Sequence, residues 1–428
     1  MFLSGCWESE YSIMWLRHKQ DDRQSLVVML TCQFVEIMGG AEKQCLSLSR
    51  ALEGRGENVI VLSSRVPGVA LDDGAIGIRV IRFWCPSPPQ LAGRHLLSSL
   101  LWAVQALFWL CWHRQHIKVV HAHQLRINAY VAAVASKFLK LPSVLKLGVG
   151  GEENDLVVIG RRKYLFGKAG VDFVVRHASR FIAISKQIED DLKAHGVSPF
   201  AIASIPNGVD LTRFAACIEE TQEARAASVK DAAVFCFVGR LSPEKNVLSM
   251  IAGLQSVPAP KRTMVMLAGE GPLRGAIEAR LQSARNPLDI RLLGAITDVS
   301  GLLHRSHFLL LLSSSEGLSN ALLEALAAGV VPIITDMSGA RDVIPFENYP
   351  LFSVSGSEVD IAVAVRRAHA LDPAIWLEWS RRLSQHAKKK FDLESVATRY
   401  VELYRALSEP GASVGLRTAR ETSQVNQT

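Results

Sequence analysis

Short, uninterrupted apolar runs alternate with stretches of helical periodicity along most of this 428-residue chain. SLVVMLT (25–31), NVIVLSS (58–64), KVVHAH (118–123), SVLKLG (143–148) and RFIAIS (180–185) have the length and continuity of strands buried on both faces. Between them, segments such as AEKQCLSLSRALEGRG and QIEDDLKAHGV repeat their apolar residues at helical spacing and stop at glycine. The pattern pauses at AACIEETQEARAASVKDA, which shows no apolar stripe. It then restarts with AVFCFVGR, RTMVMLAGEGP, LDIRLLGAI, HFLLLLSSS, VVPIITD and YPLFSV. Such alternation predicts an α/β chain whose parallel sheets are covered on both faces by helices.

The chain is too long for one ordinary core, so two domains are expected. The division read from the pattern is an extension over 1–24, a first Rossmann-like domain over 25–214, a linker over 215–231, a second domain over 232–390, a helix over 391–408 and a polar tail over 409–428. The extension and the tail are expected to be disordered. Glu8 and Glu10, with no continuous apolar core beside them, make the extension a poor signal peptide. Ligands of such sheets bind beyond the carboxyl ends of the strands, so both sets of loops are expected to face an interdomain cleft.

Composition is that of a globular protein, and the net charge of +7 favours an anionic partner. Nucleic acid ranks last among such partners, because no zinc spacing occurs and aromatic residues do not interleave with the basic ones. Seven scattered cysteines (6, 32, 45, 85, 111, 217, 236) argue against a disulfide framework and for a reducing, cytoplasmic compartment. One stretch complicates a soluble reading: LLSSLLWAVQALFWLCW (96–112) holds no charge over 17 residues and has basic flanks. It is a core helix, a helix lying in a membrane surface, or a span at the short limit of the roughly 20 residues a bilayer needs.

The stretch SSSEGLSNALLEALAAGVVPIIT (313–335) carries the richest chemistry. A buried strand leads into a loop with Glu316, Ser319 is a plausible N-cap, Glu324 lies about one turn into the helix and Gly329 ends it. The free N–H groups of Gly317 to Asn320 and the helix dipole suit an anion such as a diphosphate. Two carboxylates beside a diphosphate need hydroxyl donors, which ribose and a hexose supply. In FVGRLSPEKN, Arg240 and Lys245 follow another buried strand and can neutralise that anion: Arg as a fork onto phosphate oxygens, Lys as a mobile point charge. Gly39 and Gly40 are half of a dinucleotide fingerprint, better read as a turn allowing close backbone approach to a ligand than as a cofactor site. His121 and His123 share one face of a strand. His123, nearer the strand end, either lines the acceptor side or is a hydrogen-bonded structural residue.

These pieces, in their order, resemble the GT-B fold retaining glycosyltransferases of family 4. The matching blocks are GGAEK, VVHAH, ASRFIAIS, IPNGVDLTRF, FVGRLSPEKN, LAGEGPLRGAIEARL, IRLLGAITDV and SSSEGLSNALLEALAAGVVPI, spread over roughly residues 25 to 400. The resemblance implies that Arg240 and Lys245 contact the donor diphosphate and that Glu324 binds the ribose hydroxyls. It sets Glu316 near the transferred sugar beside the amides of Gly317 and Leu318, Gly40 at the diphosphate, and the backbone around Ile296 at the base. There are two departures. Where many members carry a His near the reacting sugar, this chain has Gly148, with Lys146 two residues earlier as a candidate charge stabiliser or a surface residue. Asp342 stands where a Glu is frequent and is expected to affect packing more than chemistry.

The resemblance further implies sugar transfer from a nucleotide donor, UDP or GDP not distinguished, to a hydroxyl acceptor, without a metal or other cofactor. Cell-surface polysaccharide or glycolipid synthesis would suit it, with a lipid-linked oligosaccharide as acceptor and a peripheral position on the inner face of the plasma membrane. A non-catalytic sugar-nucleotide-binding member of an assembly complex, or a sugar-nucleotide epimerase, are the alternatives.

Overall fold

A computed structural model describes residues 26–34, 39–65, 67, 76–89, 95–162, 166–217, 220–258, 261–283, 288–313, 317–335, 338–353 and 355–409. The expected disorder over 1–24 and beyond Glu409 lies outside these residues.

Seven strands form the first sheet: β1 (Leu26–Leu30), β2 (Asn58–Arg65), β3 (Arg79–Trp84), β4 (Ile117–His123), β5 (Ser143–Lys146), β6 (Arg180–Ala183) and β7 (Ile202–Ser204), in the order β3-β2-β1-β4-β5-β6-β7. Six form the second: β8 (Ala232–Val238), β9 (Arg262–Ala268), β10 (Asp289–Gly294), β11 (Phe308–Leu311), β12 (Val331–Thr335) and β13 (Phe352–Ser353), in the order β10-β9-β8-β11-β12-β13. The pairings that join β1 to β5, and all those of the second sheet, are parallel. The continuous apolar runs are the inner strands; LVVML of β1 and VPIIT of β12 are buried at every position. Two strands escape the apolar pattern, β3 with its two arginines and the three-residue β7, and both sit at sheet edges, where polar or short strands are tolerated. In β3, Arg82 spends its guanidinium on the carbonyls of Phe34 and Ser64, both at 3.2 Å.

By its internal contacts the chain divides into two compact units. One comprises the chain to Lys146, Ile159–Phe181 and the chain from Val401; the other comprises Leu147–Val158 and Ile182–Tyr400. In each sheet the strand order reverses once, between β1 and β4 and between β8 and β11. Loops leaving two neighbouring strands in opposite directions open a crevice at such a point. The first unit carries helices α1 (Gly40–Glu53), α2 (His95–His113), α3 (Ile127–Val134) and α4 (Gly167–His177). The second carries α5 (Lys186–Ala194), α6 (Glu220–Val229), α7 (Asn320–Ala327), α8 (Ser338–Val343) and α9 (Pro373–Lys390), and the first half of α10 (Leu393–Ser408).

The polar stretch expected to be a linker without a buried face is corrected by α6. Gln222, Arg225, Ala226 and Val229 are buried at spacings of i, i+3, i+4 and i+7, so a stripe exists but half of it is polar. The reason is what it packs on. The Arg225 guanidinium donates to the carbonyls of Ser306 at 3.1 Å and Ala328 at 2.7 Å, and its Cζ lies 5.5 Å from the centroid of Trp376. Ala328 caps α7, and helix carboxyl ends leave carbonyls that a buried cation satisfies well.

The uncharged 96–112 stretch is α2, and it is apolar on two opposite faces. Ser98, Ser99, Trp102, Ala103, Ala106, Trp109 and Leu110 are buried, whereas Leu97, Leu100, Val104, Phe108, Cys111 and Trp112 are exposed. The core-helix reading therefore holds for one side of the helix and fails for the other.

Candidate functional site

The loops at the reversal of the second sheet carry most of the residues singled out from the sequence. β8 ends at Val238; Gly239 and Arg240 follow, and Pro243–Lys245 forms a single 3-10 turn. Asn246 then takes a left-handed conformation (φ 54°) and its Nδ2 donates to the Gly356 carbonyl at 2.7 Å, which pins the turn to the loop beyond β13. Arg240 is exposed and Lys245 half-buried. Both act on Glu244 by charge: its carboxyl is held below the usual range first by the Ser242 hydroxyl at 2.6 Å and further by Arg240 and Lys245. The two cations thus share one small region. The neighbouring loops are joined through main chain, with Leu241 N donating to Glu270 O at 2.9 Å and Gly269 N to Gly294 O at 2.8 Å. At Gly269 (φ 149°) a side chain would overlap the Gly239 carbonyl.

On the other side of the reversal, β11 pairs with β8 in parallel, Phe308 opposite Phe235 and Leu309 opposite Cys236. Its loop leads through Gly317, Leu318 and Ser319 into α7. Ser319 is the N-cap, as expected, but its side chain makes no cap hydrogen bond, so the helix amides are not closed off by it. Glu324 is half-buried within α7. Glu316 lies outside the described residues. Gly317 meets the carbonyl of Gly148 so closely that a Cβ would overlap it. That carbonyl belongs to a loop fixed by Asp155, whose Oδ2 accepts from Gly148 N at 2.7 Å and Val149 N at 3.3 Å. Gly148, the position lacking the familiar His, therefore abuts the Gly317 loop through main chain.

Asn207, within IPNGVDLTRF, was not singled out from the sequence. It is 6% exposed and its Nδ2 donates to Leu318 O at 3.1 Å and Asn320 Oδ1 at 3.3 Å, fixing the start of α7. Its only sequence signal is an Asn-Gly pair following a strand. Asp342 Oδ2 accepts from the Lys186 amide at 2.5 Å. Beside Leu318 lies a recess of about 490 Å³ bordered by Lys186, Lys389, Lys390 and Arg399. Ile296 follows β10, two strands from β8; at the usual strand spacing this is about 10 Å away, within the length of a nucleotide. Among the described residues no group of three or more His, Cys, Asp or Glu is placed to hold a metal ion.

The first unit has its own reversal, between β1 and β4. Gly40 opens α1 behind Gly39, and His123 ends β4. Asn128 Nδ2 ties the two strand ends together, donating to His123 O at 2.7 Å and Leu30 O at 3.2 Å. The rings of His121 and His123 lie 4.3 Å apart on the shared face, and His121 Nδ1 is 2.6 Å from the Tyr404 hydroxyl. Burial drives both imidazoles well below their ordinary value, so they are neutral. Lys146 lies opposite His123 in the register and is only 6% exposed, so it is no surface residue.

Burial pulls the Lys146 ammonium from 10.5 down to about 8, with Cys45 opposing. Between those values the unfolded chain binds more protons, so this group's contribution is least favourable below pH 8 and improves as pH climbs toward 10.5. Lys146→Met is therefore expected to raise stability near neutral pH by up to about 3 kcal/mol. The gain over wild type should shrink as pH approaches the ordinary lysine value, measured by urea melts of both chains. Cys45, whose thiol burial pushes up to about 12, acts in the opposite sense and feels the Lys146 charge, so the comparison is read below the ordinary thiol value of 9.0.

Comparison with known proteins adds a third line. Residues 218–390 match the family model described as Glycosyl transferases group 1, and residues 38–213 the model described as Glycosyltransferase Family 4. The glycogen synthase of Mycobacterium tuberculosis (strain ATCC 25618 / H37Rv) is 26% identical over 397 residues, covering 86% of this chain and 92% of that one. An Escherichia coli UDP-Gal:alpha-D-GlcNAc-diphosphoundecaprenol alpha-1,3-galactosyltransferase is 27% identical over 195 residues, covering 44% of this chain and 50% of that one. Among solved structures, sucrose-phosphate synthase from Thermosynechococcus elongatus superposes with a TM-score of 0.71 at 18% identity, over 90% of this chain and 99% of that one. Anabaena HepE in complex with UDP-glucose gives 0.67 at 18% identity, over 89% and 99%.

Proposed function

Because the chain belongs to the group 1 glycosyltransferases of GT-B fold, we propose that it moves a sugar from a nucleoside-diphosphate donor to a hydroxyl acceptor with retention of anomeric configuration. The observation that carries this reading is the pairing of two loops at one reversal of the second sheet: Arg240 and Lys245 leave β8, and the amides of Gly317 and Leu318 leave β11. Cations and a helix amino end meeting at a switch point suit a diphosphate that gains charge as the sugar departs. Glu324 takes the ribose hydroxyls and the main chain near Ile296 meets the base, and the family resemblance assigns Glu316 to the transferred sugar. Gly40 supplies a close backbone approach, and Lys146 and His123 belong to the acceptor side.

In this mechanism the acceptor hydroxyl attacks from the face that the leaving group vacates, so no side-chain nucleophile is required. Arg240, Lys245 and the α7 amides offset the developing charge in place and need no reorganisation at the moment of reaction. HepE was solved with UDP-glucose, which supports a nucleotide sugar as donor. The E. coli relative names a diphosphoundecaprenol acceptor, which supports a lipid-linked acceptor in cell-surface glycan synthesis. The test is a panel of UDP- and GDP-sugars scored by ligand-induced melting shift and by product from a polyprenol-diphosphate-linked sugar. At least one donor should raise the melting temperature and give a product of unchanged anomeric configuration by NMR. No shift with any donor, or an inverted product, would overturn the reading.

A further inference from the structure

The outer face of α2 is exposed and carries no charge. Leu97, Leu100, Val104, Phe108 and Trp112 are 69%, 46%, 65%, 57% and 77% exposed. At roughly 100° per residue they fall, with Cys111, within an arc of about 120°, opposite the buried face. Single exposed apolar residues are ordinary on protein surfaces; a continuous stripe running the length of a 19-residue helix is a binding surface. It extends sideways. Trp84, 56% exposed, is joined to the helix through Gln105 Nε2, which donates to its carbonyl at 3.1 Å. Phe138, 65% exposed, sits on the turn Ala135–Leu139 that packs against α2.

The sequence segment that carries this stripe is basic. Between Asp73 and Glu152 the sequence contains no Asp or Glu, against nine Arg and Lys. Phe138 is flanked by Lys137 and Lys140, with Lys137 Nζ 5.0 Å from its ring centroid, and Arg114 is exposed just past the end of α2. We propose that the outer face of α2, with Trp84 and Phe138, seats this chain on an anionic lipid bilayer, the helix lying in the plane of the interface.

The same observations choose among occupants. By length and composition the run His95–His116 is apolar enough to cross a membrane. Yet Trp102, Ala106 and Leu110 are fully buried in the unit's core, so a span would require unfolding it. A second copy docked face to face would bring the Lys137, Lys140 and Arg114 sets of both chains together, a like-charge arrangement with nothing to neutralise it. Anionic headgroups neutralise these cations while acyl chains cover the stripe, and tryptophans such as Trp84 and Trp112 suit the boundary between the two. The surface stands on its own geometry; it adds to the transferase reading by placing the chain where a lipid-linked acceptor is found.

Flotation of the full chain with vesicles tests this. Wild type should float with an equal mixture of phosphatidylcholine and phosphatidylglycerol at low salt. It should float weakly with phosphatidylcholine alone and dissociate in high salt as the charges are screened. Val104→Asp with Phe108→Asp places charge at exposed positions and should cut the floated fraction about tenfold or more. Lys137→Glu with Lys140→Glu should do the same on anionic vesicles only. Both variants should keep the wild-type melting temperature and donor-induced shift, so loss of lipid binding is read apart from loss of donor binding. The proposal fails if wild type stays unbound with both vesicles, or if folded variants float as wild type does. It fails equally if light scattering shows that the stripe pairs two copies instead.

Discussion

Lys245→Ala is expected to lower kcat/KM by about 10²–10³-fold, the loss of roughly 3–4 kcal/mol that one preorganised charge contributes to a developing anion. The fold should survive because the turn has other anchors. Asn246 anchors it to Gly356, and the Lys245 amide donates to Ser242 O at 3.0 Å. The melting temperature should therefore stay close to that of wild type while the donor-induced shift shrinks. Lys245→Arg keeps the charge but replaces a point charge by a planar fork, and should restore part of the rate. Steady-state kinetics on the donor identified from the nucleotide panel would read all three chains. Unchanged turnover in a folded Lys245→Ala chain would remove Lys245 from the diphosphate site.

Gly317→Ala is the second large effect, and its cause is steric. The new Cβ would overlap the Gly148 carbonyl and lie 3.6 Å from Ile184 Cδ1. No rotamer relieves a clash with main chain, and the Gly148 loop is held by two amides on Asp155. The displacement must then fall on Gly317 and Leu318, whose amides face the proposed anion. We expect a loss of stability of about 2–4 kcal/mol, in the range for strain forced on a packed backbone, together with loss of the donor-induced shift. Ser319→Ala is the control. A Ser cap usually contributes about 1 kcal/mol, but this one makes no side-chain cap bond, so its removal should be nearly neutral. A Gly317→Ala chain that shifts with donor as wild type does would show that the loop is not the anion site.

Much of this fold was legible because its inner strands are unbroken apolar runs that only a two-sided burial explains. Legibility fell where burial is polar or one-sided. The α6 stripe looked like solvated linker because Arg225 and Gln222 are buried on carbonyls and hydroxyls that lie far off in sequence. α2 gave an apolar run, but a run that is apolar all round cannot say which face the protein covers. Lys146 read equally as a surface residue, since nothing near it in sequence shows that the sheet end is roofed by α1, whose Cys45 lies close enough to feel its charge. In the candidate site, Arg240, Lys245 and Glu324 were found by motif, and strand order sets β8 and β11, which lead into them, side by side. Asn207 was passed over because its role is to hold Leu318 and Asn320, more than a hundred residues away.

The glycine contacts around β8 and β11 have a consequence for how such a chain can change over evolutionary time. Where Gly269 meets Gly239 and Gly317 meets Gly148, peptide groups touch peptide groups, and no substitution can diversify the surface without breaking it. On the proposed reading, the part common to all nucleotide sugars is met by this main-chain scaffold. The part that differs is met at the rim, by β10, whose residues alternate between exposed and half-buried at an open edge. A lineage could then switch its preferred donor by editing a few rim side chains while the grip on the pyrophosphate is inherited intact.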